Sequence, residues 1–321
     1  MIFDFFSEIK NELAVVESEL ITAVKSSDTL LTETSTQLIK AGGKRLRPAF
    51  CLLGGKFADF NLPRIVPLAV SLELIHMATL VHDDVVDASL TRRGQPTVKA
   101  QLGNSISTHL GDYLLGKSLI LISLYENPLI PSVLAETSVK MSEGEILQIS
   151  TSYDTSQTIK DYFYRINRKT ALLISASCQL GAVACGAPRQ VHQTLRRFGH
   201  YIGMAFQITD DILDMTAQQA ELGKPIGGDL RQGIITLPVI YALRKSKYKE
   251  RLLKIVAASQ KTDQEVNEAI DLITSCGGID FSANLAAQYI DKAQRELLGL
   301  PDVPVKKTMQ IIAEFIGIRD F

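Results

Sequence analysis

Two copies of one acidic cluster are the residues of this sequence best suited to chemistry. The first is D-D-V-V-D, beginning at Asp83, and the second is D-D-I-L-D, beginning at Asp210. On an α-helix, residues four apart share a face, so Asp83 pairs with Asp87 and Asp210 pairs with Asp214. Like charges at this spacing repel, and hard divalent ions such as Mg²⁺ prefer carboxylate oxygen. The clusters therefore predict Mg²⁺ sites around a polyanion, and the predicted ligands are Asp83, Asp84, Asp87, Asp210, Asp211 and Asp214.

A basic loop with the sequence G-G-K-R-L-R-P, over residues 42–48, is the second candidate for chemistry. It lies in a window, residues 34–58, that holds five basic residues and no Asp or Glu. Glycine lets a backbone approach a ligand, and Lys and Arg donate to phosphate oxygens. A solvated surface loop is the alternative. Together with the acidic clusters, the loop indicates two phosphorylated substrates, one held through metal ions and one held without them.

Two further side chains lie on the faces of the acidic clusters. His76 is one to two helical turns before Asp83 and could donate to a phosphate, although a buried core histidine fits equally well. Gln207 precedes Asp210 by three residues, which places its amide beside the second carboxylate pair. We expect it to steady a bound intermediate.

The elements that must position these residues are helices. Apolar residues recur at spacings of three and four from Ile9 to Val24, and a second helix ends near Gly42. A long helix opened by Pro63 and Pro67 runs to Asp87, so the first cluster lies at its C-terminal end. Further helices are predicted near residues 104–125, 130–152, 158–186, 190–217, 230–245 and, as two or three pieces, 264–318. The prediction is an all-α protein.

Composition favours one folding unit and limits the classes of partner. Of 321 residues, 46% are hydrophobic and 21% charged, and no linker-like segment divides the chain, so we predict a single domain over residues 1–321. The net charge of -1 gives no general attraction to nucleic acid. The uncharged stretch over residues 171–188 reaches the lower limit for a membrane span, but its polar residues favour a buried core helix.

The cysteines and the N-terminal residues favour a reducing compartment. Cys51, Cys178, Cys185 and Cys276 form no C-x-x-C pair. Acidic residues stand where a secretory signal would need a basic start. We therefore expect a cytoplasmic location.

At these residues the chain resembles the trans-prenyl diphosphate synthases, also called polyprenyl synthetases. The resemblance covers about residues 35–245 and rests on both acidic motifs and the G-G-K-R-L-R-P loop. The stretches E-L-I-H-M-A, from Glu73, and R-K-T-A-L-L, from Arg168, most resemble the catalytic subunits of bacterial heptaprenyl diphosphate synthases.

The resemblance implies a fold, a cofactor and an assembly. The fold would be an isoprenoid-synthase-type helical bundle around a central cavity, normally a homodimer, and the cofactor would be Mg²⁺, about three ions per site. Asp83 and Asp87 would bind two ions, and Asp210, with Asp214, a third. Members of the heptaprenyl subgroup work as heteromers with a small accessory subunit. Peripheral contact with membranes is expected, since the product is a lipid, and such products serve quinone biosynthesis.

The resemblance also implies a role for each matching residue. Those matching the isopentenyl diphosphate site are Lys44, Arg47, His76 and Arg93. Those matching the site of the allylic partner are Arg92, Lys169, Thr170, Gln207 and Lys224. The predicted catalytic residues are Asp83, Asp87, Lys169 and Asp210.

The implied reaction is successive condensation of an allylic prenyl diphosphate with isopentenyl diphosphate. In the family, bulky aromatic residues four and five positions before the first aspartate stop growth early. Here those positions are Thr79 and Ala78, which favours a product of about C30 to C40, with heptaprenyl as the best estimate, running into an apolar tunnel. A shorter-chain farnesyl or geranylgeranyl synthase is the alternative within the family.

Three other functions are considered. A class I terpene cyclase shares the helical fold but usually has a different second metal motif and no second diphosphate site. A helical metal-dependent phosphohydrolase would need histidine ligands at a recognisable spacing. A non-catalytic scaffold would be expected to have lost parts of these motifs.

Overall fold

The computed structural model describes residues 7–92, 94–216 and 226–317, and they form an all-α protein, as predicted. After a 3₁₀ turn, Ser7–Ile9, the helices of the first half are α1 (Lys10–Ala23), α2 (Thr29–Lys40), α3 (Leu46–Gly55), α4 (Leu62–Val86), α5 (Val98–Ile122) and α6 (Leu129–Ser150). Those of the second half are α7 (Ile159–Ile166), α8 (Leu172–Ala184), α9 (Arg189–Thr216), α10 (Gly228–Gln232), α11 (Leu237–Lys245), α12 (Lys249–Ala257), α13 (Asp263–Ser275), α14 (Gly278–Leu298) and α15 (Pro304–Gly317). A π-helical turn, Asn167–Ala171, joins α7 to α8. Strand in the described residues is limited to the antiparallel hairpin of β1 (Thr91–Arg92) and β2 (Gln95–Pro96).

The chain divides into two compact units, each assembled from separate stretches of sequence. The first unit contains the described residues of Met1–Ser138, Leu173–Gly199 and Leu297–Ile311. The second contains those of Val139–Leu172, His200–Glu296 and Ile312–Phe321. The single-domain assignment stays a prediction.

The centre of the first unit is α4, which carries the first acidic motif. Asn61 caps its N-terminus by accepting a hydrogen bond from the backbone N–H of Arg64, and Pro63 stands in the first turn, where its missing N–H is tolerated. The helix is apolar on all sides and is buried almost throughout from Ile65 to Val81. Among the described residues it is the one helix long and apolar enough to cross a membrane, and core helices of this kind pass the same test.

Small residues allow α3 and α8 to pack closely in the first unit. A Cβ atom added to Gly54 would collide with the carbonyl oxygen of Cys178, and one added to Gly181 would collide with that of Cys51. The uncharged stretch identified in the sequence falls here, and every residue from Leu173 to Ala184 is buried. The prediction of a buried core helix is confirmed.

The second unit is built around the side chains of α7, α9, α11 and α13. Tyr162 is fully buried and packs with Ile208 and Leu237 in this core. Two of the helices begin with capping boxes, at Thr158 and at Thr262, so their starts are fixed locally. This core supports the last turns of α9, where the second acidic motif lies.

The structure differs from the predicted secondary structure at five places. α5 begins at Val98 rather than near residue 104, because Thr97 caps it and a kink at Gly103, with φ 84°, is absorbed within the helix. The predicted helix over residues 158–186 is interrupted by the π-turn, and the one over residues 230–245 is two helices, α10 and α11. Helix α12 and the β1–β2 hairpin were not predicted.

Candidate active site

The first acidic motif lies in the last turn of α4, as predicted. The helix ends at Val86, and Asp87 is its C-cap. Asp83 and Asp87 are each partly exposed, as is His76 two turns earlier on nearly the same face. Carboxylates at a helix C-terminus oppose the helix dipole, so a bound cation would stabilise this end of α4.

Asp84 has a different environment from its neighbours. It is only 6% exposed, and its Oδ1 accepts hydrogen bonds from Nε (2.9 Å) and Nη2 (2.8 Å) of Arg92. Arg92 lies in β1, opposite Gln95 of β2. The hairpin is further held by Thr97, whose hydroxyl donates to the carbonyl of Ser89. Arg92 was predicted to contact the allylic substrate, and the structure places it on Asp84.

The basic loop separates into one buried and two accessible cations. Arg45, with φ 47°, is 8% exposed, and its guanidinium binds Glu17 and Glu73, the latter at 3.0 Å from Nη1. Lys44 is exposed and Arg47 is partly exposed. Arg45 is therefore a structural residue, whereas Lys44 and Arg47 stand where a ligand could reach them.

The second acidic motif lies at the C-terminal end of α9, again as predicted. Asp210 and Asp214 are both partly exposed. The carboxylate of Asp214 accepts the backbone N–H groups of Gly228 and Asp229, each at 3.0 Å. These bonds join the motif to the start of α10, which follows it in the sequence.

Asp211 is buried in the second unit and is enclosed by protein donors. The hydroxyl of Tyr162 donates to its Oδ2 at 2.7 Å, and Nε2 of Gln207 donates to its Oδ1 at 2.8 Å. The hydroxyl of Thr170 in turn donates to Oε1 of Gln207 at 2.6 Å. Burial raises the pKa of Asp211 to about 6, against the lowering effect of the two hydrogen bonds. Two predicted site residues, Thr170 and Gln207, are thus brought into contact.

The predicted Arg-Lys-Thr segment falls within the π-turn between α7 and α8. Nζ of Lys169 lies 2.9 Å from Oε2 of Glu145, and the guanidinium of Arg168 stacks on the ring of Tyr164 at 3.7 Å. A π-turn inside a helix displaces the side chains that it carries and is frequent at functional sites. No residue pattern in this segment indicated the π-turn.

The sequence-based list of site residues did not include Asp229. Burial, and then the nearby carboxylates of Asp214 and Asp211, raise the pKa of Asp229 well above its usual value, and Lys169 and Arg165 oppose that shift. Asp211, Asp214 and Asp229 therefore form one acidic cluster whose members raise the pKa of Asp229 through their mutual repulsion. Its position directly after two glycines, in the loop that follows the second motif, was the available signal.

Two predicted residues, Arg93 and Lys224, lie outside the described residues. The chain-length positions are described: Ala78 is 2% exposed, and the hydroxyl of Thr79 donates to the carbonyl of His76. Ile75 and Leu72, one and two turns further toward the N-terminus of α4, are 3% and 0% exposed, so they are packed in the core of the first unit.

The donor chemistry of both motifs fits Mg²⁺. Within the described parts of the chain, no three His, Cys, Asp or Glu side chains gather into a complete metal site. Mg²⁺ does not need one, since it is usually held by one or two carboxylates, with water and substrate phosphate completing its octahedron. The partly exposed pairs Asp83 with Asp87, and Asp210 with Asp214, offer such carboxylates, although both oxygens of Asp214 also accept backbone N–H groups. Asp84 and Asp211 are instead buried against side-chain donors. The fold and the motifs together define an all-α enzyme of diphosphate chemistry.

Comparison with known proteins identifies the family. The polyprenyl synthetase family model matches residues 28–273. Heptaprenyl diphosphate synthase component 2 of Geobacillus stearothermophilus is 47% identical over 317 residues, covering 98% of both chains. The crystal structure of heptaprenyl diphosphate synthase from Staphylococcus aureus has a TM-score of 0.92 and 36% identity, covering 98% of this chain and 99% of that one. A polyprenyl synthase from Caulobacter crescentus, crystallised with calcium and isoprenyl diphosphate, has a TM-score of 0.94 and 32% identity, covering 99% and 98%.

The chain belongs to the polyprenyl synthetase family and is a prenyltransferase. The family resemblance inferred from its motifs is confirmed.

Proposed function

We propose that this chain is the catalytic subunit of a Mg²⁺-dependent trans-polyprenyl diphosphate synthase that makes a long-chain product, with heptaprenyl diphosphate as the best estimate. The observation that carries the proposal is the pair of intact D-D-x-x-D motifs, each at the C-terminal end of a helix, in a chain 47% identical to a heptaprenyl diphosphate synthase component. The substrates are an allylic prenyl diphosphate and isopentenyl diphosphate.

Some site residues of the first unit serve the allylic diphosphate, and others serve isopentenyl diphosphate. Asp83 and Asp87 would hold the cations that bind the allylic diphosphate. Lys44, Arg47 and His76 would bind the diphosphate of isopentenyl diphosphate directly. Lys and Arg suit this second task because their charge and N–H donors match phosphate oxygens without a metal. The exposure of Lys44, beside the buried Arg45, supports the division.

In the second unit, Asp210 and Asp214 are the proposed ligands, and Lys169, Thr170 and Gln207 position the allylic substrate. Mg²⁺, about three ions when bound, stabilises the negative charge that develops on the leaving diphosphate. The amide of Gln207 is held in one orientation by Thr170 and Asp211, so its dipole is preorganised to steady a bound intermediate. No side-chain nucleophile is required.

Long products are favoured by the small side chains of Ala78 and Thr79, one turn before the first aspartate. Each turn of α4 advances about 5.4 Å, so a bulky residue at either position would block the chain close to the reacting carbon. Heptaprenyl length is supported by the similarity of the chain to heptaprenyl diphosphate synthases of G. stearothermophilus and S. aureus.

The chain acts in an assembly, as a homodimer or with a small accessory subunit. Leu119 and Ile120 in the last turn of α5, and Leu124 just after it, are between 58% and 65% exposed, and such groups of exposed apolar residues are typical of interfaces. The name component 2 in the relative supports a separate partner.

The proposed location of the enzyme is the cytoplasm, in peripheral contact with membranes, where it would serve quinone biosynthesis. The four free cysteines support a reducing compartment.

The test is incubation of the purified chain with Mg²⁺, farnesyl diphosphate and labelled isopentenyl diphosphate, followed by chain-length analysis. The chain is assayed alone and after co-expression with genomic neighbours. We expect isopentenyl-dependent elongation to a C35 product. Absence of elongation in both preparations would refute the synthase, and a cyclic hydrocarbon formed without isopentenyl diphosphate would identify a terpene cyclase instead.

A further inference from the structure

The second aspartate of each acidic motif lies on a different helical face from the first and the fifth. Successive helical residues are about 100° apart, so Asp84 follows the face of Met77 and Val81, which are 6% and 3% exposed. Asp211 follows the face of Met204 and Ile208, which are 2% and 0% exposed. In both motifs, therefore, the second carboxylate is directed into the interior of its unit.

In the first unit, the buried carboxylate holds an arginine. Both N–H donors from Arg92 reach Oδ1 of Asp84, at 2.8 and 2.9 Å, and the side chains are 32% and 8% exposed. Charge-assisted hydrogen bonds of this length are strong, and the hairpin that carries Arg92 is too short to hold the guanidinium by itself. Asp84 therefore fixes where Arg92 points.

In the second unit, the buried carboxylate orients an amide. Asp211 accepts a hydrogen bond from the NH₂ group of Gln207, while the carbonyl oxygen of Gln207 accepts one from Thr170. An amide with an acceptor on one side and a donor on the other has one orientation. Tyr162 holds the other oxygen of Asp211, so the carboxylate itself cannot turn away.

We infer that Asp84 and Asp211 are positioning residues for side chains that the family resemblance assigns to the allylic substrate: Asp84 fixes Arg92 within the first unit, and Asp211 fixes Gln207 within the second. The inference rests on the proposed function for the identity of that substrate. It gives the second aspartate of each motif a role of its own, which is to orient a protein group rather than to hold a cation.

The experiment compares Asp84→Asn and Asp211→Asn with the matched controls Asp83→Asn and Asp210→Asn. Binding of Mn²⁺ in the presence of inorganic diphosphate is followed by electron paramagnetic resonance. In Asp84→Asn and Asp211→Asn, an amide replaces a carboxylate that accepts hydrogen bonds from protein groups and holds no ion. We therefore expect both variants to keep the wild-type number of bound ions, with dissociation constants within about twofold. The controls should lose at least one ion or weaken it by about tenfold or more. Loss of an ion in Asp84→Asn or Asp211→Asn would overturn the inference.

Steady-state kinetics supply the second measurement. We expect the positioning variants to raise KM for the allylic diphosphate by about tenfold, with a smaller change for isopentenyl diphosphate and no change in the Mg²⁺ concentration for half-maximal rate. A shift in that Mg²⁺ requirement would contradict the inference.

Double variants keep the test decisive if a single variant fails to fold. Arg92→Gln should reproduce the KM of Asp84→Asn, and Asp84→Asn should add nothing to it, because both remove one contact. Gln207→Leu should likewise reproduce Asp211→Asn. Additive effects would refute the inference. If the wild type neither elongated substrate nor bound Mn²⁺ with diphosphate, the proposed function would fail. The contact between Asp84 and Arg92 would still be measurable in that case, as non-additive changes in Tm among the two single variants and the double variant.

Discussion

Replacing Arg45 by glutamine should strongly destabilise the protein, although Arg45 lies in the basic loop expected to bind substrate. Its guanidinium is 8% exposed and compensates Glu73, whose side chain is 4% exposed, together with the half-exposed Glu17. Removing one partner of a buried ion pair leaves an uncompensated charge and costs about 3–5 kcal/mol. At about 2.1 cal/mol/K of unfolding entropy per residue, over 321 residues, this corresponds to a fall in Tm of about 4–7 °C.

The assay is thermal unfolding followed by circular dichroism, with Lys44→Gln as the matched control in the same loop. Lys44 is exposed, so its replacement should change the free energy of unfolding by less than about 0.5 kcal/mol. Its effect should instead be a higher KM for isopentenyl diphosphate. Arg45→Gln, measured well below its Tm, should leave that KM nearly unchanged.

The double variant Arg45→Gln with Glu73→Gln tests the cause of the destabilisation. If the loss comes from the stranded charge of Glu73, neutralising that carboxyl should restore a large part of the stability. A Tm shift below about 1 °C for Arg45→Gln would refute the reasoning, as would a double variant no more stable than the single one.

Four further outcomes are expected. Asp83→Asn should lower kcat by about 10²-fold or more with little change in Tm, because it removes a cation ligand from a partly exposed helix end. Turnover near the wild-type rate would contradict this prediction. Ala78→Phe should shorten the product to about C15–C20, because an aromatic ring enters one turn before the motif. The product length is measured by chromatography. An unchanged C35 product would show that the growing chain does not pass this position. Burial, with Arg189 second, lowers the pKa of His192, so the folded state binds fewer protons than the unfolded one below about pH 6.5. Stability should therefore fall as the pH is lowered through about 6.5, the unfolded pKa, and His192→Gln should flatten that dependence in denaturant titrations. Gly181→Ala should cost about 1–3 kcal/mol, since its Cβ would collide with the backbone of α3, and unchanged denaturant midpoints would contradict it.

The helical architecture could be predicted because its signals are local. The long apolar segment before Asp83 is helical and buried on all sides, and the cap at Asn61 and Pro63 marks its start in the sequence. The β1–β2 hairpin and the π-turn could not be predicted in this way. A two-residue strand has no periodicity, and a π-turn inserts one residue into an otherwise ordinary helical pattern.

The candidate site was predictable to the level of motifs but not of individual roles. Both acidic clusters lie at helix C-termini, as their spacing and their following loops indicated. Arg45 and Lys44 are both basic residues of one loop, so the sequence did not reveal that Arg45 is buried between two carboxylates while Lys44 is exposed. Nor did it reveal Asp229, because a single aspartate after two glycines is common in loops.

The sequence by itself determined the all-α fold, the two acidic motifs and membership of a family that handles diphosphates, because helical periodicity and residue chemistry are properties of short stretches of chain. Tertiary structure decided which member of each motif is buried against side-chain donors and which members stay partly exposed. Arg92 and Tyr162 reach their aspartates from other elements of the fold, and such partners are set by how elements pack rather than by their spacing along the chain. In each motif that packing buries the second aspartate and leaves the first and the fifth at the surface of their unit, which the repeated letters of the motif do not reveal.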